Sequence, residues 1–159
     1  MDRFARERVL VGAWMREQLP ASTWLTVGAA GALPYASGLP VVDVFGLVDP
    51  WPRRVPALRP SPRGRPGHQL MAPLAELRVR DPDLWCHVGQ VGPRVPAPAS
   101  AQTRGLGPGY RWACVAPGPV ADAREPGGVL DVGYYCCLRP QGRVVGPFRD
   151  DAGATGVSR

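Results

Sequence analysis

The sequence predicts a single α/β domain, with a mixed, mostly parallel sheet flanked by helices and long Pro/Gly/Arg-rich loops. Three observations predict it. The 159 residues suit one compact domain, and a hydrophobic fraction of 45% suffices for a core. Helix, strand, turn, short helix and strand alternate from the N-terminus to Phe45, the order of an α/β unit. Gly and Pro, 20 of each, concentrate between residues 50 and 128, which places long loops there. The domain is set at residues 3–149, with 150–159 a disordered tail.

Residues 3–19 read as a helix because Val11, Trp14, Met15 and Leu19 fall at helical spacing, with Arg8, Arg16 and Glu17 on a wet face and Pro20 as the stop. Thr23–Val27 is β-branched and aromatic, a short strand. Gly28–Gly31 is a small-residue turn, Ala32–Ser37 about one helical turn closed by Gly38, and Val41–Phe45 a second strand. Leu70, Leu74 and Leu77 give a helix over 69–80, with Pro73 in its first turn. Leu84–Val88, Tyr110–Val115 and Val129–Leu138 read as further strands, and Arg143–Phe148 as a short edge strand. Residues 51–67, with five Arg, five Pro and no acid, and residues 89–109 read as exposed loops.

All 19 basic residues are Arg, and Lys, Asn and Ile are absent, which is the mark of GC-rich coding. That bias weakens any functional reading of the Arg count. The net charge of +6 permits binding to nucleic acid or to an anionic membrane surface, but no nucleic-acid motif accompanies it, so nucleic acid is disfavoured. No apolar run reaches the ~20 residues of a membrane span, and the charged N-terminus has no signal-peptide core. Cys86, Cys114, Cys136 and Cys137 lack metal-ligand or redox spacing, so buried free thiols are favoured, with one disulfide open if the domain lies outside the cytoplasm. Cys136 and Cys137 are adjacent, so at most one of them is expected to face a core.

Chemistry-bearing residues are few. Gly28–Gly31 follows a strand and opens a helix, the topology of an anion-binding turn, without the full dinucleotide fingerprint. Asp43 sits inside an apolar strand and Asp49 follows it; Asp43 must lie at the strand's open end or pair with an Arg or a backbone donor, and a structural ion pair is favoured over a ligand contact at the sheet's carboxyl edge. His87 reads as a structural histidine; His68, at a loop-to-helix junction, is the better functional candidate. Arg53 and Arg54 head a cluster able to meet a phosphate or lipid headgroup. No catalytic triad, P-loop or metal motif is legible, so neither cofactor nor metal is expected.

Residues 31–50, GALPYASGLPVVDVFGLVDP, resemble a segment in the C-terminal soluble extracytoplasmic domain of bacterial GT-C-type polytopic membrane glycosyltransferases, the protein-mannosyltransferase-like and arabinofuranosyltransferase-like enzymes. The likeness extends to the N-terminal helix, to Gly67-His68 and to Pro82-Asp83-Leu84, covering roughly residues 8–90. Val48 stands where the family pattern has Asn. The catalytic aspartates of such enzymes lie beside membrane helices that have no counterpart here. The resemblance therefore implies a non-catalytic accessory domain that binds or positions a glycan or a polyprenyl-phosphate-linked sugar. Asp43, Asp49 and His68 would be its polar contacts, Tyr35 a stacking surface, and Arg53 and Arg54 the phosphate contacts. It implies a polytopic glycosyltransferase partner and a place on the extracytoplasmic face of the membrane; without the resemblance, the missing signal peptide points to the cytoplasm. A small soluble α/β enzyme or anion-binding protein using the Gly28–Gly31 turn, and a purely structural interaction module, stand as alternatives.

Overall fold

The computed structural model describes residues 1–28, 30–51, 54, 71–98 and 105–150. Helix α1, Arg3–Gln18, starts where the Asp2 carboxylate accepts the Ala5 N–H at 2.8 Å. It buries Val11 and Met15, the spacing that the sequence predicts, and ends before Pro20. Strand β1 is Leu25–Val27, and helix α2 is Ala32–Ser37, closed by Gly38 at φ 65°. Strand β2, Val41–Asp43, follows. The two helices meet at Gly12, where a Cβ would lie 2.7 Å from the Leu33 carbonyl oxygen and 2.8 Å from Ala36 Cβ. Only glycine permits that approach.

Helix α3 is Leu74–Val79, shorter than the expected span over 69–80; Pro73 caps it instead of lying in its first turn. Strand β3, Leu84–Gly92, runs well beyond the expected end at Val88. Strands β4 (Tyr110–Val115), β5 (Val120–Ala121), β6 (Val129–Leu130), β7 (Tyr134–Pro140) and β8 (Arg149–Asp150) complete the fold. The single strand expected over Val129–Leu138 is broken at Gly133, φ 62°, where a Cβ would meet the Gly92 carbonyl oxygen at 2.6 Å. Its first residues pair with β5, in a separate hairpin, and the rest enters the main sheet.

The main sheet is mixed, in the order β2-β1-β3-β7-β4-β8. Among its strand pairs, β1 with β2 and β1 with β3 are parallel. The pairs β3/β7, β4/β7 and β4/β8 are antiparallel, which corrects the expectation of a mostly parallel sheet. Strand β4 reaches β7 only through residues 116–133, which hold the β5/β6 hairpin, and β7 then inserts antiparallel between β3 and β4.

Both faces of the sheet are covered. Leu25, Val27, Leu84, Ala113 and Cys137 pack under α1 and α2. Val42, Trp85, Trp112, Cys136 and Leu138 pack with Leu77 of α3 and with Leu106. This double cover overturns the expectation for the cysteines. Adjacent residues of β7 point to opposite faces, yet Cys136 and Cys137 are both buried. Each forms a disulfide, Cys86–Cys137 on the α1 face and Cys114–Cys136 on the other. No cysteine is free.

The β5/β6 hairpin is held to α1 by charge. Arg6 pairs with Asp122 at 3.0 Å and with Glu125, and Arg3 reaches Glu125 at 2.9 Å. The Asp122 carboxyl is held below its ordinary range, first by the Arg124 backbone N–H and then by the Arg124 side chain. The expected tail beyond residue 150 lies outside the described residues, as does most of the Arg/Pro loop.

Candidate functional site

The carboxyl edge of β1 and β2 is where an α/β fold places ligands, and both aspartates of the motif belong to it. Asp43 ends β2 with its side chain fully buried. One carboxylate oxygen accepts the Phe45 N–H at 3.0 Å; the other accepts those of Leu47 and Val48 at 2.6 and 2.9 Å. Gly46, at φ 67°, lets the chain curl around the carboxylate. Asp43 thus faces backbone amides and is closed to solvent, and among the described residues no arginine pairs with it. A buried carboxylate requires such donors, which is why an acid can close an apolar strand.

Asp49 is half-buried. It accepts the Trp51 N–H at 2.9 Å and lies 3.7 Å from Arg80, whose guanidinium sits 4.5 Å from the Trp51 ring centre. This is the ion pair that the sequence favoured. Tyr35 is 89% exposed on α2, in an open depression shared with Val9 and Ala13 of α1. Arg54 is exposed, and its backbone N–H donates to the Trp51 carbonyl. His68 and Arg53 lie outside the described residues. Asp83 accepts the Trp24 N–H at 2.8 Å and pairs with Arg143 at 3.3 Å, so it ties the entry of β3 to that of β1. The aspartates of the resemblance are thereby engaged in holding turns.

A cavity of about 270 Å³ opens at the same edge, between the end of β1, the N-terminal half of α1 and the middle of β3. Val27, Leu33 and Phe45 give it apolar walls. Gly28 lines it beside β1; a Cβ there would meet the Phe45 ring at 3.1 Å, so this glycine serves close packing. Gly31, at the far end of the same turn, is exposed. The pairing of β3 with β7 slips register between Trp85 and Gln90, a bulge that turns His87 and Gly89 toward the cavity. At Gly89 a Cβ would fall 2.8 Å from the Cys86 carbonyl oxygen and 3.1 Å from that of Cys136, so the bulge depends on glycine.

Three polar side chains reach this space: Arg8, His87 and Tyr135. His87 Nδ1 and Thr26 Oγ1 share a hydrogen bond of 2.7 Å that fixes the imidazole. Arg8 lies over the Phe4 ring at 3.5 Å and 3.6 Å from the Glu7 carboxylate. That carboxylate is already engaged by Arg3 at 2.9 Å. Burial pulls the Arg8 guanidinium below the ordinary arginine range, partly offset by Tyr135 and Glu7. Burial likewise pushes the Tyr135 hydroxyl up to about 12, with Arg8 opposing. The Tyr135 phenol therefore keeps its proton at neutral pH. Among the described residues, no three His, Cys, Asp or Glu side chains gather to hold a metal ion.

Sequence reasoning did not find this set. It placed Arg8 on a wet face, His87 in a structural role, and Tyr135 in a buried strand. One signal was legible: Gly89 interrupts a strand of large residues, and a lone glycine there marks a bulge.

A family model described as a domain of unknown function, DUF8728, matches residues 2–113, and the chain belongs to that family. No curated protein and no solved structure matches. Among the described residues, no helix is long and apolar enough to cross a membrane.

Proposed function

We propose that this DUF8728 member is a non-catalytic accessory domain of the kind attached to GT-C-type membrane glycosyltransferases. It binds or positions a glycan or a polyprenyl-phosphate-linked sugar on the extracytoplasmic side. The observation that carries the reading is the cavity at the carboxyl end of β1. Arg8, His87 and Tyr135 meet apolar walls there, and the GALPYASGLPVVDVFGLVDP segment supplies Leu33 and Phe45 to those walls. Few polar groups set in an apolar wall is the usual composition of a small-molecule site.

Two further features support it. The two disulfides suit an oxidising compartment, since such bonds are rare where thiols are kept reduced. Among the described residues, the cavity's ionisable side chains are a guanidinium, an imidazole and a phenol, and the guanidinium and phenol offer N–H and O–H donors to a ligand's oxygens. Partnership with a polytopic glycosyltransferase belongs to the same reading.

The test is an amide NMR titration of the oxidised protein with a short-chain prenyl-phosphate sugar and with neutral oligosaccharides. Saturable shifts at Gly28, His87 and Gly89 are expected with at least one of them. A flat response to every sugar-bearing probe overturns the reading.

A further inference from the structure

The polar groups of the cavity are unequal in kind. Arg8 brings five N–H donors and no acceptor, and a phenol kept protonated brings a donor. Among the described residues the Arg8 guanidinium has one carboxylate neighbour, Glu7, at 3.6 Å, beyond hydrogen-bond length. Glu7 gives its shorter contact to Arg3. Stacking on Phe4 occupies the face of the guanidinium and leaves its edge to form bonds. Tyr135 is 3% exposed, and buried tyrosine hydroxyls normally find a partner. A half-buried cation and a buried phenol thus converge on a space walled by Val27, Leu33 and Phe45, with no acid among the described residues lining it.

We infer that this cavity binds a single oxyanion group, carboxylate or phosphate, borne on an apolar carrier, with Arg8 as its fork and the Tyr135 hydroxyl as a second donor. Donor geometry sets the head group, because the guanidinium fork matches two oxygens of a planar or tetrahedral anion. The walls set the carrier. At about 270 Å³ the cavity lies at the lower end of the ~300–1,000 Å³ typical of small-molecule sites, which admits the head group and the first few carbons attached to it. The inference shares with the proposed function the premise that the cavity is the ligand site, but it does not need the ligand to carry a sugar.

Calorimetric titration of the oxidised protein with inorganic phosphate, hexanoate, geranyl phosphate and neutral geraniol tests it. Geranyl phosphate or hexanoate is expected to bind at least about tenfold more tightly than geraniol, the scale of a charge-assisted bond to a partly buried guanidinium. Arg8→Met should abolish that preference, Arg8→Lys should restore part of it, and Tyr135→Phe should weaken anion binding several-fold at an unchanged melting curve. Inorganic phosphate binding as well as geranyl phosphate would assign the site to a free anion; binding of the prenyl compound alone assigns it to a lipid-borne one. Equal affinity for geraniol and geranyl phosphate, or anion binding that survives Arg8→Met, overturns the inference, as does an absence of binding by all four probes. If the anions bind while every sugar-bearing probe fails, the anion site stands and the glycosyltransferase reading falls.

Discussion

The two halves of the sheet solve different problems. In β2-β1-β3 the strands run parallel, and a cavity opens beside the end of β1 and the middle of β3. In β3-β7-β4-β8 they run antiparallel, and β7 is stapled to β3 by Cys86–Cys137 and to β4 by Cys114–Cys136. The parallel half is held by packing and by one buried carboxylate that organises a turn. The antiparallel half is held covalently, one bridge to each face. Strand β3 belongs to both, and its bulge is where the stapled half presses His87 and Gly89 into the site of the other. A small domain can keep an open cavity at one edge when the opposite half is cross-linked.

The contrast is broken most strongly by reduction. The bridges close separations of 51 and 22 residues, so losing each should cost between about 3 and 4.5 kcal/mol by loop-closure entropy. Urea unfolding of the oxidised protein and of the paired Cys86→Ala/Cys137→Ala and Cys114→Ala/Cys136→Ala variants measures this, with the longer loop expected to cost more. In the parallel half, Asp43→Ala removes three charge-assisted, part-buried hydrogen bonds at once and should cost roughly 3 kcal/mol. Asp43→Asn, which keeps acceptor capacity on one atom, should cost less. Equal stability of the alanine variant and the parent would remove Asp43 from its structural role.

The seam between the halves has an alkaline signature. The Tyr135 hydroxyl is raised in the folded state from 10.0 to about 12. Its contribution is therefore whole below about pH 10 and is lost as the pH rises toward 12, a fall of roughly 2–3 kcal/mol in unfolding free energy. Tyr135→Phe should flatten that part of a pH–stability curve. Gly89→Ala sharpens the same point by geometry: the added methyl meets the Cys86 and Cys136 carbonyls, and a loss of about 1–3 kcal/mol is expected. The smallest effect belongs to the rim. Arg80→Met removes a partly exposed partner of Asp49 at 3.7 Å and should cost less than ~1 kcal/mol.

Several elements were legible. The helical spacing of Val11 and Met15, the Gly38 cap and the strand Tyr110–Val115 all appear where periodicity and turn chemistry put them. The ion pairing of Asp49 was legible from the rarity of unpaired carboxylates near a core. For Asp43 the sequence left an open strand end, an arginine and a backbone donor as alternatives, and the three amides of the following turn that take the carboxylate leave no pattern in residue type to choose between them. The end of β3 was not legible, because its extension to Gly92 depends on β7 lying alongside. Arg8 was read as a solvated residue because helical spacing records which face a side chain takes, and not what stands opposite that face.

By itself, the sequence determined the class of the domain, the position of its early elements and the identity of its conformational stops. These rest on local terms: side-chain periodicity, proline's missing donor and glycine's freedom at positive φ. Only the tertiary structure decided that half the sheet is antiparallel, that four cysteines form two bridges, and that Arg8, His87 and Tyr135 share a cavity. Each of these joins residues far apart in the chain. Their energy comes from burial and cross-strand register, which no short stretch of sequence contains.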